Sequence, residues 1–255
     1  MHTITNKIIE QGLTNRAIRV SQLKRLVKGS AQRRYSLVNR AIKTGELLRF
    51  QRGLYMLNER FRDYPCHPFA LAQALAPGSY VSFETALAYH GWIPEAVFTT
   101  ASVVPGRKSR QFEHEKMGIL SFHPLAIHRK YFLELVNRYQ INGQTMLVAK
   151  PCRALMDLVC LRKLSWEGMD WLLEGLRIDT ESLAAITGND IKILELVYKH
   201  KRVKSYLSSL SGELTLKSMP LKKFFRILPC MVCGAPIFLK WRDSKEVPVC
   251  GFYIE

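Results

Sequence analysis

The N-terminal part of the sequence has few acidic residues, and no part of the chain has a long apolar run. Residues 1–62 contain 14 Lys or Arg side chains but only three Asp or Glu. Over all 255 residues, 38 basic side chains face 21 acidic ones, which gives a formal net charge of +17. Such an excess indicates a polyanionic partner, either nucleic acid or an anionic membrane surface. No apolar run reaches the roughly 18 residues that a membrane span needs.

Cysteine is also scarce, and the usual sign of secretion is missing. Six cysteines are too few for a disulfide framework in a chain of 255 residues. The N-terminal segment MHTITNKIIEQGLT has no apolar core followed by a small-residue cleavage site, so we predict no signal peptide. We therefore expect a cytoplasmic protein whose thiols are reduced.

The sequence signatures of common active sites are missing as well. There is no Gly-x-x-x-x-Gly-Lys-Ser/Thr loop, no Gly-x-Ser-x-Gly elbow and no His-Glu-x-x-His motif. Four histidines in the middle of the chain lack the paired spacing of metal ligands: His90, His114, His123 and His128. Lys150 ends a predicted strand, but no acid stands where a metal-dependent nuclease would need one. We predict no enzymatic activity, no metal and no cofactor.

The charge is unevenly distributed along the chain. Residues 63–191 are nearly neutral, with 12 basic and 13 acidic side chains, whereas residues 192–255 have 12 and 5. A basic N-terminal segment, a neutral middle and a basic tail indicate at least two functional parts. We expect an α+β protein with three regions, namely residues 1–62, 63–210 and 211–255.

The first region has the pattern of three short helices. The segment TITNKIIEQG forms the first helix and stops near Gly12. Ser21 is the predicted cap of a second helix that ends at Gly29, and Ser30 is the predicted cap of a third helix that closes near Gly45.

Helical spacing of about 100° per residue divides the third helix into two faces. An apolar face is predicted to pack inward through Tyr35, Val38, Ala41 and Ile42. The opposite face, called here the basic face, carries side chains of the types that reach base edges and phosphates: Gln32, Arg33, Ser36, Asn39, Arg40 and Lys43.

The next residues, ELLRFQRGLYML, have the signal of a two-stranded hairpin. Apolar and polar side chains alternate, and a Gly lies in the predicted turn. Three helices followed by a hairpin predict a winged helix-turn-helix. Its third helix would enter the major groove of double-stranded DNA, while Arg49 and Arg52 on the wing would contact phosphates. The alternative is an amphipathic helix whose cations only confer solubility; the near absence of acids favours DNA binding.

The middle region reads as a mixed α+β domain with a helical C-terminal part. We predict a helix from about Pro68, a helix capped by Ser82, strands near residues 96–104 and 118–125, and a hairpin with an Asn-Gly turn at residues 142–143. Pro151 fits the first turn of a further helix. Three more helical stretches are predicted near residues 165–176, 180–187 and 190–209. The basic loop PGRKSRQ could contact a partner or be an ordinary solvated loop.

The tail contains a Cys-x-x-Cys pair. Cys230 and Cys233, which Gly234 follows, resemble half of a zinc ribbon. Cys250 comes 16 residues after Gly234. A zinc ribbon needs four ligands, and this stretch offers only three. Buried cysteines are therefore favoured over a zinc site.

Three segments together resemble the AbiEi-type antitoxins of bacterial abortive-infection systems. They match a Gly-Leu-Tyr wing end (residues 53–55), a Ser-x-Glu-x-Ala-Leu…His-Gly-x-x-Pro-Glu block (residues 82–95) and a Pro-x-x-Ala-Leu-x-Asp-Leu helix (residues 151–158). The resemblance covers about residues 15–210. This sequence departs from the pattern at Cys152, where the family often has an acid.

The resemblance implies a winged helix-turn-helix that represses the antitoxin–toxin operon, followed by an α+β domain with antitoxin activity. The implied partners are the promoter DNA of that operon and a cognate nucleotidyltransferase-like toxin. Two alternatives stay open: a transcription regulator with a ligand- or partner-sensing domain, and, less favoured, a DNA-targeted nuclease.

Overall fold

The computed structural model describes residues 3–115, 117–218, 228–229, 236–242 and 245–250. Residues 1–212 pack as one compact unit, and residues 213–255 make up a second unit. The described parts combine helices with sheets of mixed strand orientation, so the chain is of the α+β class.

The first 62 residues contain three α-helices and a small sheet. The elements in chain order are α1 (Thr3–Glu10), β1 (Ile18–Arg19), α2 (Val20–Leu26), α3 (Ala31–Lys43), β2 (Leu47–Gln51), β3 (Leu54–Leu57) and a 3-10 turn (Glu59–Phe61). The predicted hairpin is confirmed: β2 and β3 pair antiparallel, and Gly53 has the positive φ of +82° that its turn requires. Strand β1 adds to the outer side of β3, which the sequence pattern did not indicate.

The predicted start and end of the second helix were wrong. Helix α2 begins at Val20, and the side chain of Gln22 accepts a hydrogen bond from the Arg19 backbone N–H at 2.8 Å. Ser21 therefore lies inside the first turn. The pairing of β1 with β3 continues through Val20, whose N–H bonds to the Gly53 carbonyl at 3.0 Å, and this fixes where the helix can start.

Two apolar clusters cover the two sides of this small sheet. One cluster joins α1, α2 and α3 to the sheet through Ile4, Ile8, Ile18, Leu23, Val27, Val38, Ala41, Leu47 and Leu57. The other joins the hairpin to the middle region, because Phe50, Leu54 and Met56 pack with residues of α4, β5 and β7. The second cluster thus crosses the boundary predicted at residue 62.

The middle region is built on a six-stranded sheet in the order β6-β7-β5-β4-β9-β8. Its strands are β4 (Tyr80–Val81), β5 (Thr99–Val104), β6 (Arg110–His114), β7 (Gly118–Pro124), β8 (Val136–Ile141) and β9 (Gln144–Ala149). Two neighbouring pairs, β5 with β7 and β4 with β9, are parallel, and the others are antiparallel. The Asn142-Gly143 turn is confirmed, with φ of 50° and 71° at its two residues, as a type I′ turn requires.

Helices of the middle region precede, interrupt and follow this sheet. They are α4 (Pro68–Leu75), α5 (Phe83–Tyr89), a 3-10 turn (Arg129–Tyr131), α6 (Pro151–Arg162), a π-helical turn (Trp171–Gly175), α7 (Thr180–Ala184), α8 (Gly188–Val197) and α9 (Lys201–Ser218). The stretch predicted as one helix over residues 190–209 is two helices. The break falls at Tyr198, where the chain leaves the helical conformation and bridges to Ile127.

The tail contributes an antiparallel sheet of β10 (Leu228–Pro229), β11 (Pro236–Arg242) and β12 (Lys245–Cys250). Cys230 and Cys233 lie outside the described residues. The zinc alternative for these cysteines and Cys250 therefore stays a matter of sequence pattern.

A buried polar network lies where β4, α5, α6 and Tyr198 meet. Arg153 and Asp157, one helical turn apart on α6, have no exposed surface, and the Arg153 Nε to Asp157 Oδ1 distance is 3.0 Å. Asp157 also accepts hydrogen bonds from the Tyr80 hydroxyl at 2.9 Å, from the Ser82 hydroxyl at 2.7 Å and from the Tyr198 hydroxyl at 2.7 Å. Ser82, predicted as a helix cap, thus uses its side chain to bond this carboxylate.

The rest of the Arg153 guanidinium is also satisfied. It donates to the carbonyl of Glu134 at 3.0 Å and to the Tyr80 hydroxyl at 2.6 Å. Burial would lower the pKa of Arg153, but Asp157 and the two tyrosines outweigh that effect and raise it, so the guanidinium stays charged. Burial, followed by the charge of Asp157, raises the pKa of Tyr80 and of Tyr198, so both hydroxyls stay protonated as donors.

Replacing Asp157 should destabilise the protein strongly. In Asp157→Ala the Arg153 charge stays buried without its partner, and we expect the free energy of unfolding to fall by about 3–5 kcal/mol. Urea denaturation followed by circular dichroism measures this change.

The matched control is Glu84→Ala, because Glu84 pairs with Arg162 in a half-exposed ion pair. That loss should cost under about 1 kcal/mol. Equal losses in the two variants would contradict the structural role assigned to the buried network.

Candidate nucleic-acid interface

The third helix is positioned by its cap and by two small apolar residues. The Ser30 hydroxyl accepts a hydrogen bond from the Arg33 backbone N–H at 3.2 Å, which confirms the predicted N-cap. Val38 and Ala41 are buried in the N-terminal cluster, and Ile42 packs against it. The opposite side of α3 is therefore turned away from the core.

The basic face lies on that outward side, as its spacing predicted. Gln32, Arg33, Arg40 and Lys43 are exposed, and Ser36 and Asn39 are partly exposed. Arg40 also donates from Nε to the Ser36 carbonyl at 3.4 Å, which holds the start of its side chain along the helix. The structure thus brings the six predicted residues together on one surface.

Tyr35 was wrongly placed on the packing face, since 64% of it is exposed. On a helical wheel at 100° per residue, Tyr35 falls between Ile42 and Asn39, at the margin of the buried arc. Leu37, on the other margin, packs against the core instead. The packing face of α3 thus includes Leu37 in place of Tyr35. Tyr35 belongs to the exposed surface next to the basic face.

The hairpin presents two more of the predicted cations. Arg49 is exposed on β2, and Arg52 is exposed in the turn between β2 and β3. The pairing of β2 with β3 shifts register between Arg49 and Gln51, as at a β-bulge. Arg49 lies at this irregularity, and Arg52 follows it in the turn.

Two of the three acids of the first 62 residues are engaged away from these cations. Glu46 is buried and accepts a hydrogen bond from the Thr5 hydroxyl at 2.6 Å, while Glu59 lies 3.7 Å from the Arg62 guanidinium. Within the described residues, no ion pair involves any of the cations of the basic face or the hairpin: Arg33, Arg40, Lys43, Arg49 and Arg52. Their positive potential is therefore uncompensated at short range.

Three further cations, outside the set predicted to contact DNA, are exposed on and after α2, namely Lys24, Arg25 and Lys28. The signal for them was the basic excess of the whole segment rather than a spacing rule. Basic side chains beside α3 are of a type suited to phosphate contacts.

Strand β1, which pairs with β3 of the hairpin, is tied to the middle region by polar bonds, in addition to the apolar packing of the hairpin. Arg19 donates to the carbonyl of Ala74, and Arg16 donates to the carbonyl of Gly143 at 3.0 Å. The buried amide of Gln144 clamps the connector, since it accepts from the His67 N–H and donates to the Pro65 carbonyl, both at 2.8 Å. The small sheet that carries the exposed cations of the hairpin is therefore fixed to the middle region.

The loop PGRKSRQ has a more mixed role than a solvated loop. Arg107, Lys108 and Arg110 are all exposed, but Arg110 begins β6 and its guanidinium lies 4.9 Å from the Phe122 ring centre. Arg110 also donates to the Leu75 carbonyl at 3.3 Å, so it contributes to packing.

Comparisons with known proteins add no family to this geometry. No protein-family model matches the chain, and no curated protein sequence is significantly similar to it. Among the described residues, no helix has the length and apolar character to cross a membrane. The same part of the chain holds no group of three His, Cys, Asp or Glu side chains arranged to bind a metal ion.

Truncating Tyr35 should leave stability almost unchanged, whereas truncating Val38 should not. Tyr35→Ala removes an exposed ring, and the free energy of unfolding should change by less than about 0.5 kcal/mol. Val38→Ala leaves a cavity in the N-terminal cluster and should cost about 1–3 kcal/mol. Chemical denaturation of both variants checks this prediction. A larger loss for Tyr35→Ala would return Tyr35 to the packing face.

Proposed function

We propose that residues 1–62 form a winged helix-turn-helix that binds double-stranded DNA, with α3 as the recognition helix. The carrying observation is the set of cations exposed together on α3 and the hairpin, which make no ion pair within the part of the chain that the structure describes. The element order α1-β1-α2-α3-β2-β3, with the strands ordered β1-β3-β2, supports the assignment.

The residue types on α3 suit both base and phosphate contacts. Arg33 and Arg40 can each donate two hydrogen bonds to guanine, and Gln32 and Asn39 can pair with adenine. Ser36 and Lys43, and Arg49 and Arg52 of the wing, are suited to phosphate oxygens, which set orientation and affinity rather than sequence.

Reversing charge on α3 should abolish DNA binding without unfolding the protein. In Arg33→Glu plus Arg40→Glu, two repulsive charges replace two donors at exposed positions. We expect no retarded complex in a gel-shift assay with a DNA fragment that carries the gene's own promoter, while circular dichroism and thermal unfolding stay as in the wild type.

The matched control reverses two exposed cations away from α3 and the hairpin, Arg138→Glu plus Lys192→Glu. This control should keep most of its affinity. Wild-type affinity should fall with salt by a log–log slope of about −0.9 per phosphate contact. Retained affinity in the α3 variant, or a flat salt response, would argue against the assigned interface.

We further propose that the protein is an antitoxin of the AbiEi type that represses its own operon in the bacterial cytoplasm and counteracts a nucleotidyltransferase-like toxin. The resemblance of three segments carries this part of the proposal. Two of these segments meet in the fold, because Ser82 of the second bonds Asp157 of the third at 2.7 Å. Glu84 of the second segment also pairs with Arg162, four residues after the end of the third. These contacts join the second and third segments as one structural unit.

Co-expression tests the antitoxin role. Expression of the gene adjacent to this one should arrest growth, and the full-length protein should restore it. The Arg33→Glu plus Arg40→Glu variant should still restore growth when both genes are expressed from foreign promoters, because antitoxin activity is assigned to the middle region. Absence of arrest, or arrest that the protein does not relieve, would favour the plain regulator as the alternative.

A further inference from the structure

A cleft of about 670 Å³ opens at one end of the parallel strands β5 and β7. Its lining residues are Val104, Pro105, Gly106, Arg107, Leu125, Ile127, Arg129, Lys130, Phe132, Leu133 and Lys199. The lining therefore includes the last residue of β5 and the residue that follows β7. The carboxyl ends of parallel strands are a common place for ligands, and this volume is in the range of small-molecule sites.

Four cations and no acid line this cleft, although the surrounding sequence is nearly neutral. Residues 63–191 have one more acid than base, yet three of their cations, Arg107, Arg129 and Lys130, line the cleft beside Lys199. Within the described residues none of the four makes an ion pair. Cations gathered in a concave surface reinforce one another's field and attract an anion of several charges.

The remaining lining is apolar and partly open to solvent. Leu133 is 51% exposed, and Phe132 and Leu125 are only partly buried. Lys130 Nζ lies 4.7 Å from the Tyr131 ring centre. Apolar side chains and cations lining one cleft match a ligand with a flat apolar body and several negative charges.

We propose that this cleft binds nucleotide phosphates on Arg107, Arg129, Lys130 and Lys199, with the base against Phe132 and Leu133. A nucleotide combines both parts of the lining: a polyphosphate for the cations and a ring for the apolar wall. The proposal does not depend on DNA binding by α3. Either a free nucleotide or a nucleotide within a single strand supplies this chemistry.

Isothermal titration calorimetry with ATP tests the site in the full-length protein. We expect the wild type to bind ATP, and Arg129→Ala plus Lys130→Ala to raise the dissociation constant about tenfold, because charge-assisted hydrogen bonds are lost. Arg138→Ala plus Lys192→Ala removes the same charge outside the cleft and should leave the constant unchanged. Equal weakening in both variants, or no binding by the wild type, would overturn the proposal.

A change in the apolar wall separates a nucleotide site from a general anion site. Leu133→Gln keeps the charge and should weaken ATP binding severalfold while leaving inorganic pyrophosphate binding unchanged. If Leu133→Gln binds ATP as tightly as the wild type does, and pyrophosphate likewise, the base makes no contact with the apolar lining and the proposal is overturned. Thermal unfolding of every variant checks that the fold is retained.

The two sources are distinguished in the Arg33→Glu plus Arg40→Glu background, in which the proposed DNA interface is removed. ATP should still bind there, so failure of the cleft and failure of the DNA proposal are separate results. In this background, bound ATP is displaced either by an oligo(dT) 8-mer or by further ATP. If the 8-mer displaces it at the lower concentration, a nucleotide within a strand is the ligand. If it does not, a free nucleotide is the ligand. Loss of ATP binding in this background would contradict the cleft assignment.

Discussion

The ion pair of Arg153 with Asp157 is the interaction on which the middle of this protein depends. Both side chains are fully buried, and each is hydrogen-bonded on the sides that its partner leaves open. Either charge alone would be very costly in the protein interior. Together with Tyr80, Ser82 and Tyr198, the two charges join β4, α6 and the segment that follows α8. The same network holds the loop that follows the 3-10 turn Arg129–Tyr131, because Arg153 donates a hydrogen bond to the Glu134 carbonyl. That loop also forms one side of the cationic cleft.

The small N-terminal sheet connects this rigid middle to the proposed DNA-binding surface. Its residues Ile18, Leu47 and Leu57 pack with the three helices, while Phe50, Leu54 and Met56 pack with the middle region. A hairpin covered on both sides has little freedom to move independently, so a partner bound to the middle region and DNA bound to α3 would act on one packed body. In the proposed repressor this packing offers a physical route by which one partner could influence the other.

Much of the local structure followed from short-range rules in the sequence. The Ser30 cap, the Gly53 turn and the Asn142-Gly143 turn are determined by residues close in sequence, and all three were predicted correctly. Predictions went wrong where a distant segment intervened. Pairing of β1 with β3 moved the start of α2 ahead of Ser21, and the position of the core left Tyr35 outside. Ser82 is the N-cap residue of α5, as predicted, but its hydroxyl bonds Asp157 instead of the helix backbone.

The charge of the N-terminal segment, the basic face of α3 and the cations of the hairpin could be predicted from the sequence alone, because period and charge need no tertiary contact. The inward position of Glu46, which leaves those cations less compensated than the composition indicated, depends on packing between distant segments. The tertiary structure also brought Arg107, Arg129, Lys130 and Lys199 around one cleft, although they are up to 92 positions apart and the first three belong to a segment of nearly neutral charge. Folding brings distant side chains together in space, and a pattern read along the chain does not carry that information.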